Sequence, residues 1–354
     1  MSDFQVVASG GSYGVHIESG SMRTAMAGAR VAIVDEALLD RVSGCSAAVI
    51  SVPGGETTKS LNSCESVLVR MQEAGVKRGD TLVAVGGGVI QDVATFVSSF
   101  YMRGIPWVFS PSTAMAMADS CIGGKSSINV GGIKNLGGNF HPPARVVIDP
   151  SLAETLGLAA RISGLSEAVK ICFAAGPESF SGYLDRAVRP EDFGGTVETA
   201  ALLDHVLRAK KWFVEVDEFD QAERQLLNFG HTFGHALEAA TAFAIPHGVA
   251  VALGILAALA HPQAARTAQT EALQDYCVAL LTPIRSSVSE ALVAIDWSKF
   301  DRAIETDKKG THDSVRLVLP GGSSTLQVVP VARTPESLRE IRHAMASGVQ
   351  VAGI

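Results

Sequence analysis

The chain has 354 residues, 47% apolar and 18% charged, which excludes a disordered polypeptide and, at roughly 100–200 residues per domain, predicts two domains. Acidic side chains outnumber basic ones 36 to 29, for a net charge of −7, so neither nucleic acid nor an anionic membrane surface is an expected partner. The 5 cysteines form no C-x-x-C pair; they indicate neither a disulfide framework nor a cysteine zinc site, and are expected to be reduced.

Residues 1–20 contain Asp3 and Glu18 and lack a basic segment followed by a long apolar run. They do not read as a secretory signal, and a cytoplasmic location is expected. Residues 4–17, broken at Gly10-Gly11, predict a hairpin. Strands follow at 30–34, 47–52, 81–85, 106–109 and 145–148, with crossover helices over 58–74 and 90–100 where apolar residues recur every three or four positions. This alternation predicts an α/β domain built on a parallel sheet. Residues 119–135 show no apolar period and read as a long irregular functional loop. After Asp149-Pro150 alanine and leucine dominate and helical periodicity takes over. The predicted division is therefore 1–150, an α/β domain, and 151–354, mainly α-helical, with a cleft between them as the default ligand site. In the second part, residues 248–260 read as a buried helix too short to span a bilayer. Strands are expected at 315–319 and 326–329, then a terminal helix over 334–345 and a frayed end from Val349.

Gly86-Gly87-Gly88 follows a strand and precedes a helix, where bare backbone and a helix N-terminus can approach a phosphate. The same residues also suit a simple tight turn. A second turn, Gly54 to Lys59, carries Glu56 and Lys59, which could grip a ribose or a phosphate or merely start a surface helix. His231 and His235 stand four apart, on one face of a helix. With His247, which follows Pro246, they suggest a metal, although H-T-x-x-H lacks the glutamate of the zinc-protease motif. Glu167 and Lys170, three apart, are either a local ion pair or part of a ligand set with open positions. Lys125 and Lys134 lie among glycines that suit an anionic ligand. Arg103, Lys210, Arg224 and Lys308 add dispersed cations.

Taken in order, Gly86-Gly-Gly-Val-Ile-Gln-Asp92, Tyr101-Met-Arg103-Gly, Pro111-Ser-Thr113, Asp119-Ser-Cys-Ile-Gly-Gly-Lys125, Lys134-Asn135-Leu-Gly, Glu167-Ala-Val-Lys170, Leu227-Asn-Phe-Gly-His-Thr-Phe-Gly-His235 and Asp307-Lys308-Lys309 resemble the 3-dehydroquinate synthase family, part of the sugar-phosphate cyclases. The resemblance runs from about Asp35 to about Val329. It implies an NAD-binding α/β domain, a helical metal- and substrate-binding domain, a bound NAD⁺ and a divalent metal, zinc or cobalt, between them.

Carried over by position, the resemblance implies Glu167, His231 and His247 as metal ligands, with His235 contacting substrate instead. NAD would be held by Asp35, Glu56, Lys59, Gly87, Gly88, Val89, Asp92, Ser112, Thr113, Lys134 and Thr155. Lys125, Asn135, Lys170, His235 and Asp119 would act in catalysis. Arg103, Lys210, Arg224, Asn228 and Lys308 would bind substrate, Arg103 across a homodimer interface. The implied reaction belongs to the shikimate pathway of aromatic amino acid biosynthesis. It converts 3-deoxy-arabino-heptulosonate 7-phosphate to 3-dehydroquinate and phosphate through transient oxidation by NAD⁺, phosphate loss, re-reduction, ring opening and aldol closure. Lys125, Asn135 and His235 would hold the phosphate, and Arg224 with Lys210 the carboxylate.

The chain departs from the family at Ala37, usually polar, at Gln91, usually glycine, at Ser112, usually threonine, and at Gly131-Gly132. It also lacks a common Leu-Pro after Leu156, while Phe140-His-Pro-Pro143 resembles related sugar-phosphate cyclases. Cyclases acting on an amino analogue or on sedoheptulose 7-phosphate are therefore alternatives, as is a metal-dependent alcohol or glycerol dehydrogenase, which would release NADH at each turnover. A non-catalytic nucleotide-binding homologue would bind cofactor and release no phosphate.

Overall fold

In the computed structural model, which describes residues 1–307, 310, 313–322 and 325–354, strands β1 (Ser2–Ala8) and β2 (Gly11–Ile17) form the hairpin that Gly10-Gly11 predicts. The chain then lays down α1 (Met22–Met26), β3 (Val31–Asp35), β4 (Ala48–Val52), α2 (Leu61–Glu73), β5 (Leu82–Gly86), α3 (Gly88–Phe100) and β6 (Trp107–Pro111). A small antiparallel pair, β7 (Ile128–Val130) and β8 (Ile133–Gly137), precedes β9 (Arg145–Ile148). Seven strands pair in the order β1-β2-β9-β6-β5-β3-β4, parallel throughout except for the hairpin. Central strands such as β5 and β6 are buried at every position, which is why they read as unbroken apolar runs.

Beyond β9 come α4 (Leu158–Ala174) and α5 (Pro177–Leu184), then α6 (Val197–Val216). The contacts divide the chain into two units, residues 1–156 with 192–219 and residues 157–191 with 220–354. The sequence-based division at 150 assigns α6 to the helical part. In the structure α6 belongs with the sheet, where it packs on β1 and β2 and Glu215 and Glu218 accept hydrogen bonds from the Val7 and Ser9 amides at 2.7 Å each.

The second unit continues with α7 (His231–Ala240), α8 (His247–Ala260), α9 (Ala268–Leu281), α10 (Arg285–Leu292), α11 (Trp297–Glu305), the antiparallel pair β10 (Ser314–Pro320) and β11 (Leu326–Ala332), and α12 (Pro335–Val351). Helix α8 is its core: residues 248–258 are all buried, and each fully buried Val, Leu or Ile contributes about 2 kcal/mol. It packs on α4, α7, α9 and α12. The approach is close because glycine removes the side chain at the crossings. A Cβ on Gly248 would lie 2.3 Å from the Ser163 carbonyl oxygen in α4, and one on Gly254 would lie 2.0 Å from the Gly230 carbonyl oxygen before α7. These contacts draw together the helix segments that carry Glu167, His231 and His247.

Two other expectations change. Residues 119–135 are irregular only in part: 121–127 form no helix or strand, but the stretch begins in a π-helical turn (Ala116–Ser120) and ends in the β7–β8 hairpin, whose turn Gly131 and Gly132 make with φ of 61° and 80°. The C-terminus does not fray at Val349, because α12 runs to Val351 and Ala352 is buried. All five cysteines are free thiols; burial pushes Cys64, Cys121, Cys172 and Cys277 up to about 12, so they are inert core residues. Among the described residues, no single helix is long and apolar enough to cross a membrane.

Candidate active site

In the second unit, three helices aim polar side chains at one point. Glu167 extends from the middle of α4 and is 1% exposed. His231 and His235 occupy the first and second turns of α7, and His247 opens α8 directly after Pro246, whose extended backbone ends the preceding turn. Glu167 Oε1 lies 3.3 Å from His247 Nε2 and 3.6 Å from His231 Nε2, yet it is buried and has no oriented hydrogen-bond partner among the described residues. The nitrogens of His231, His235 and His247 lie within 4.8 Å of one another.

The far nitrogens of two rings are already engaged. His231 Nδ1 donates to the Phe229 carbonyl at 3.2 Å, and His247 Nδ1 donates to Glu238 Oε2 at 3.2 Å. Each hydrogen bond keeps a proton on Nδ1 and turns Nε2 toward Glu167, the nitrogen that offers a lone pair once it is deprotonated. An orphaned buried carboxylate oxygen and two imidazole lone pairs, each backed by an outer acceptor, fit a divalent metal.

The electrostatics favour a cation there. Burial alone would raise the Glu167 carboxyl, but the Lys170 ammonium, paired with Glu167 Oε2, and then His247 hold it well below the usual carboxylate range. Burial would lower His247, but the Glu167 and Glu238 carboxylates raise it to about 10. A proton on His247 and a metal ion therefore compete for the same position, and metal uptake releases that proton.

Of the other positions in this unit, Arg224 is buried and the Asn228 amide donates to the Gln225 carbonyl at 2.9 Å. A cavity of about 230 Å³ is lined by Asp220, Gln225, Asn228 and Arg316 over Val318 and Val328. Lys308 lies outside the described residues.

The first unit holds the positions expected to contact a cofactor. β5 ends at Gly86, Gly87 caps α3, and Gly88 begins it. A Cβ on Gly87 would come 2.7 Å from Thr113 Cγ2, so any side chain here would have to displace Thr113 at the end of β6. Ser112 is buried and its amide donates to the Gly86 carbonyl at 2.9 Å. On the first turn of α3, Asp92 pairs with Lys59 at 2.8 Å and accepts from the Ser127 amide at 3.0 Å. Burial pushes the Asp92 carboxyl above its ordinary value, with Lys59 and Ser127 opposing.

Lys59 also donates to Ser127 Oγ and Asn135 Oδ1, each at 3.0 Å. Asn129 completes the group: its amide donates to Glu56 Oε1 at 3.0 Å and its oxygen accepts from the Asn135 amide at 2.8 Å. Asn135, in a left-handed conformation with φ 51°, thus joins the Lys59 network. A cavity of about 470 Å³ opens beside it, lined by Glu56, Thr57, Ser60, Asn129, Gly132 and Lys134. Asp35 ends β3 with its carboxylate against Gly54, while Val89 is half-buried behind Gly88.

Elsewhere in this unit, Asp119 pairs with Lys210 of α6, which is 4% exposed. Lys125 is half-buried and pairs through its backbone with Phe140. Arg103 is exposed at a left-handed turn with φ 68°, and Thr155 is exposed.

A family model for the 3-dehydroquinate synthase N-terminal region matches residues 49–162, and one for the C-terminal region matches residues 164–310. The chain belongs to the 3-dehydroquinate synthase family. Within that family, the 3-dehydroquinate synthase of Streptococcus pneumoniae (strain ATCC 700669 / Spain 23F-1) is 35% identical over 308 residues, covering 85% of this chain and 82% of that protein. The 3-dehydroquinate synthase of Pyrobaculum islandicum is 34% identical over 348 residues, covering 96% and 95%.

Solved structures share the fold. 2-Deoxy-scyllo-inosose synthase complexed with carbaglucose-6-phosphate, NAD⁺ and Co²⁺ matches with TM-score 0.81 at 21% identity, covering 97% of this chain and 100% of that one. The 2-epi-5-epi-valiolone synthase of Streptomyces hygroscopicus subsp. jinggangensis 5008 with NAD⁺ and Zn²⁺ bound matches with TM-score 0.75 at 22% identity, covering 99% of each.

Sequence reasoning missed several residues that contact the expected ones or line a cavity beside them. Glu238 stands seven residues after His231, two turns along the same helical face, and that spacing was its one available signal. Ser127 and Asn129 had none, since Asp92 and Glu56, the carboxylates they meet, are more than thirty positions away. Arg316 lies on β10, beyond every quoted motif.

Proposed function

We propose that the chain is an NAD- and metal-dependent 3-dehydroquinate synthase, a carbon–oxygen lyase that converts 3-deoxy-arabino-heptulosonate 7-phosphate to 3-dehydroquinate and inorganic phosphate. The observation that carries this reading is the convergence of Glu167 Oε1, His231 Nε2 and His247 Nε2, with Glu238 behind, in a chain of this family. When bound, NAD⁺ accepts and returns one hydride, and a divalent ion such as zinc or cobalt supplies Lewis acidity at substrate oxygens.

The chain's own residues do the rest. Glu167, His231 and His247 hold the ion, and buried Lys170 keeps Glu167 ionised. The Gly87–Gly88 turn receives the cofactor's pyrophosphate at the N-terminus of α3, with Asp35, Val89, Ser112, Thr113, Lys134 and Thr155 as further cofactor contacts. Glu56 and Lys59, fixed by Asp92 and Asn129, take its ribose side. His235, exposed one turn beyond His231, binds the substrate phosphate with Lys125 and Asn135. Arg224 and Lys210 bind the carboxylate, with Asp119, Asn228 and Lys308 orienting the hydroxyls. The same reading makes the protein a cytoplasmic homodimer in which Arg103 reaches the neighbouring subunit's substrate.

The test is to offer the heptulosonate phosphate, its amino analogue, sedoheptulose 7-phosphate and glycerol to purified protein with NAD⁺ and Zn²⁺ or Co²⁺. The expected result is equimolar phosphate and 3-dehydroquinate from the first, with no net NADH. NADH accumulating with glycerol, or no phosphate from any sugar, would contradict the proposal.

A further inference from the structure

Gln91 departs from the family's usual glycine and lies immediately before Asp92 on the first turn of α3, 3% exposed. Its side chain is used twice on one residue: Nε2 donates to the Ser120 carbonyl at 2.6 Å, and Oε1 accepts from Ser120 Oγ at 2.5 Å. Ser120 is the last residue of the π-helical turn Ala116–Ser120. A π turn is a strained insertion that needs outside support and is common at functional sites. Two further anchors are local: the Ala116 amide donates to Thr113 Oγ1 at 3.2 Å, and the Cys121 amide donates back to the Ala116 carbonyl at 3.1 Å.

What this turn presents is the preceding residue, Asp119. The Lys210 ammonium pairs with the Asp119 carboxylate and donates to the carbonyls of Asp119 and, at 3.2 Å, Ile122. A buried lysine on α6 is thus held by oxygens from one short segment, and that segment is fastened to α3 through Gln91. The adjacent Asp92 fastens Lys59 and Ser127 from the same turn of helix.

We propose that Gln91 is a positioning residue: its paired hydrogen bonds to Ser120 fix the π-helical turn and so set Asp119 and Lys210 in register with the cofactor loop on α3. Glycine at this position would offer neither hydrogen bond. The kinetic part rests on the function proposed above, in which Asp119 and Lys210 bind substrate; the placement of Lys210 does not.

The experiment therefore reads both. Gln91→Met is nearly isosteric but lacks the amide, and Ser120→Ala removes one of the two bonds without touching α3. Acylation of Lys210 by an amine-directed reagent, followed by mass spectrometry, should rise several-fold in Q91M and less in S120A, with the thermal transition retained. In turnover, Q91M should raise KM for the sugar phosphate about tenfold, the effect expected for two modest hydrogen bonds, with kcat within about twofold. NAD⁺ affinity and metal content should not change.

Combining Q91M with Asp119→Asn should give less than the product of the single effects, because both act on the same lysine. Unchanged Lys210 labelling in both variants, or full additivity with D119N, would overturn the proposal. Altered labelling in a protein that turns over no sugar phosphate would leave the positioning role standing and refute the functional reading instead.

Discussion

Glu238 offers the sharpest perturbation of the metal centre, because it touches His247 on the side away from the other ligands. Its Oε2 lies 3.2 Å from His247 Nδ1, and its side chain is 13% exposed. That bond holds the proton on Nδ1 and points the Nε2 lone pair toward Glu167 Oε1, 3.3 Å away. Glu238→Gln keeps an acceptor oxygen and loses the charge; Glu238→Ala loses both. Removing such an outer partner weakens metal binding by about 10–100-fold, or about 1.4–2.8 kcal/mol. E238Q should fall near the lower figure and E238A near the upper.

The deficit should widen with pH. Glu238 also helps to hold the competing proton on His247, raised to about 10, so the wild-type protein is the more handicapped at low pH and the less so as that proton leaves. Competition titration with a chromogenic chelator and Zn²⁺ or Co²⁺ at several pH values measures this directly. A folded E238A protein with wild-type affinity at every pH would refute the reasoning.

Lys170→Met leaves the buried Glu167 without its ammonium partner, and the metal-free protein should lose about 3 kcal/mol in urea unfolding, less once zinc is added. Gly87→Ala places a Cβ 2.7 Å from Thr113 Cγ2; NAD⁺ affinity by calorimetry should fall at least tenfold while the metal affinity holds. His261 is 2% exposed, its Nδ1 accepts from the Gln263 amide at 3.3 Å, and its Nε2 has no hydrogen-bond partner among the described residues. Burial lowers its pKa from the ordinary 6.5, so the unfolded chain takes up the proton first. Stability should be full above about 6.5 and decline as pH falls toward the folded-state value, and His261→Gln should flatten that decline in thermal melts.

Much of the sheet was legible because its central strands are buried on both faces and so appear as continuous apolar runs, from Val31–Asp35 to Trp107–Pro111. The β7–β8 hairpin was not, since every residue from Ile133 to Leu136 is exposed and leaves no burial pattern. Helix α6 looks like any amphipathic helix in sequence; its membership of the first unit depends on carboxylates that meet the edge of β1, a tertiary fact. The histidines announced themselves by spacing. Their outer partners did not, because a glutamate such as Glu238 has no distinguishing neighbour until the fold turns it toward His247.

The proposed function requires Glu167, His231 and His247 to share one ion. Anomalous diffraction from crystals grown with Co²⁺ and NAD⁺, collected on both sides of the cobalt edge, locates that ion without reference to activity. The account predicts one strong peak bonded to Glu167 Oε1, His231 Nε2 and His247 Nε2, lost in His247→Ala; a peak held by other side chains, or none at those three atoms, would contradict it.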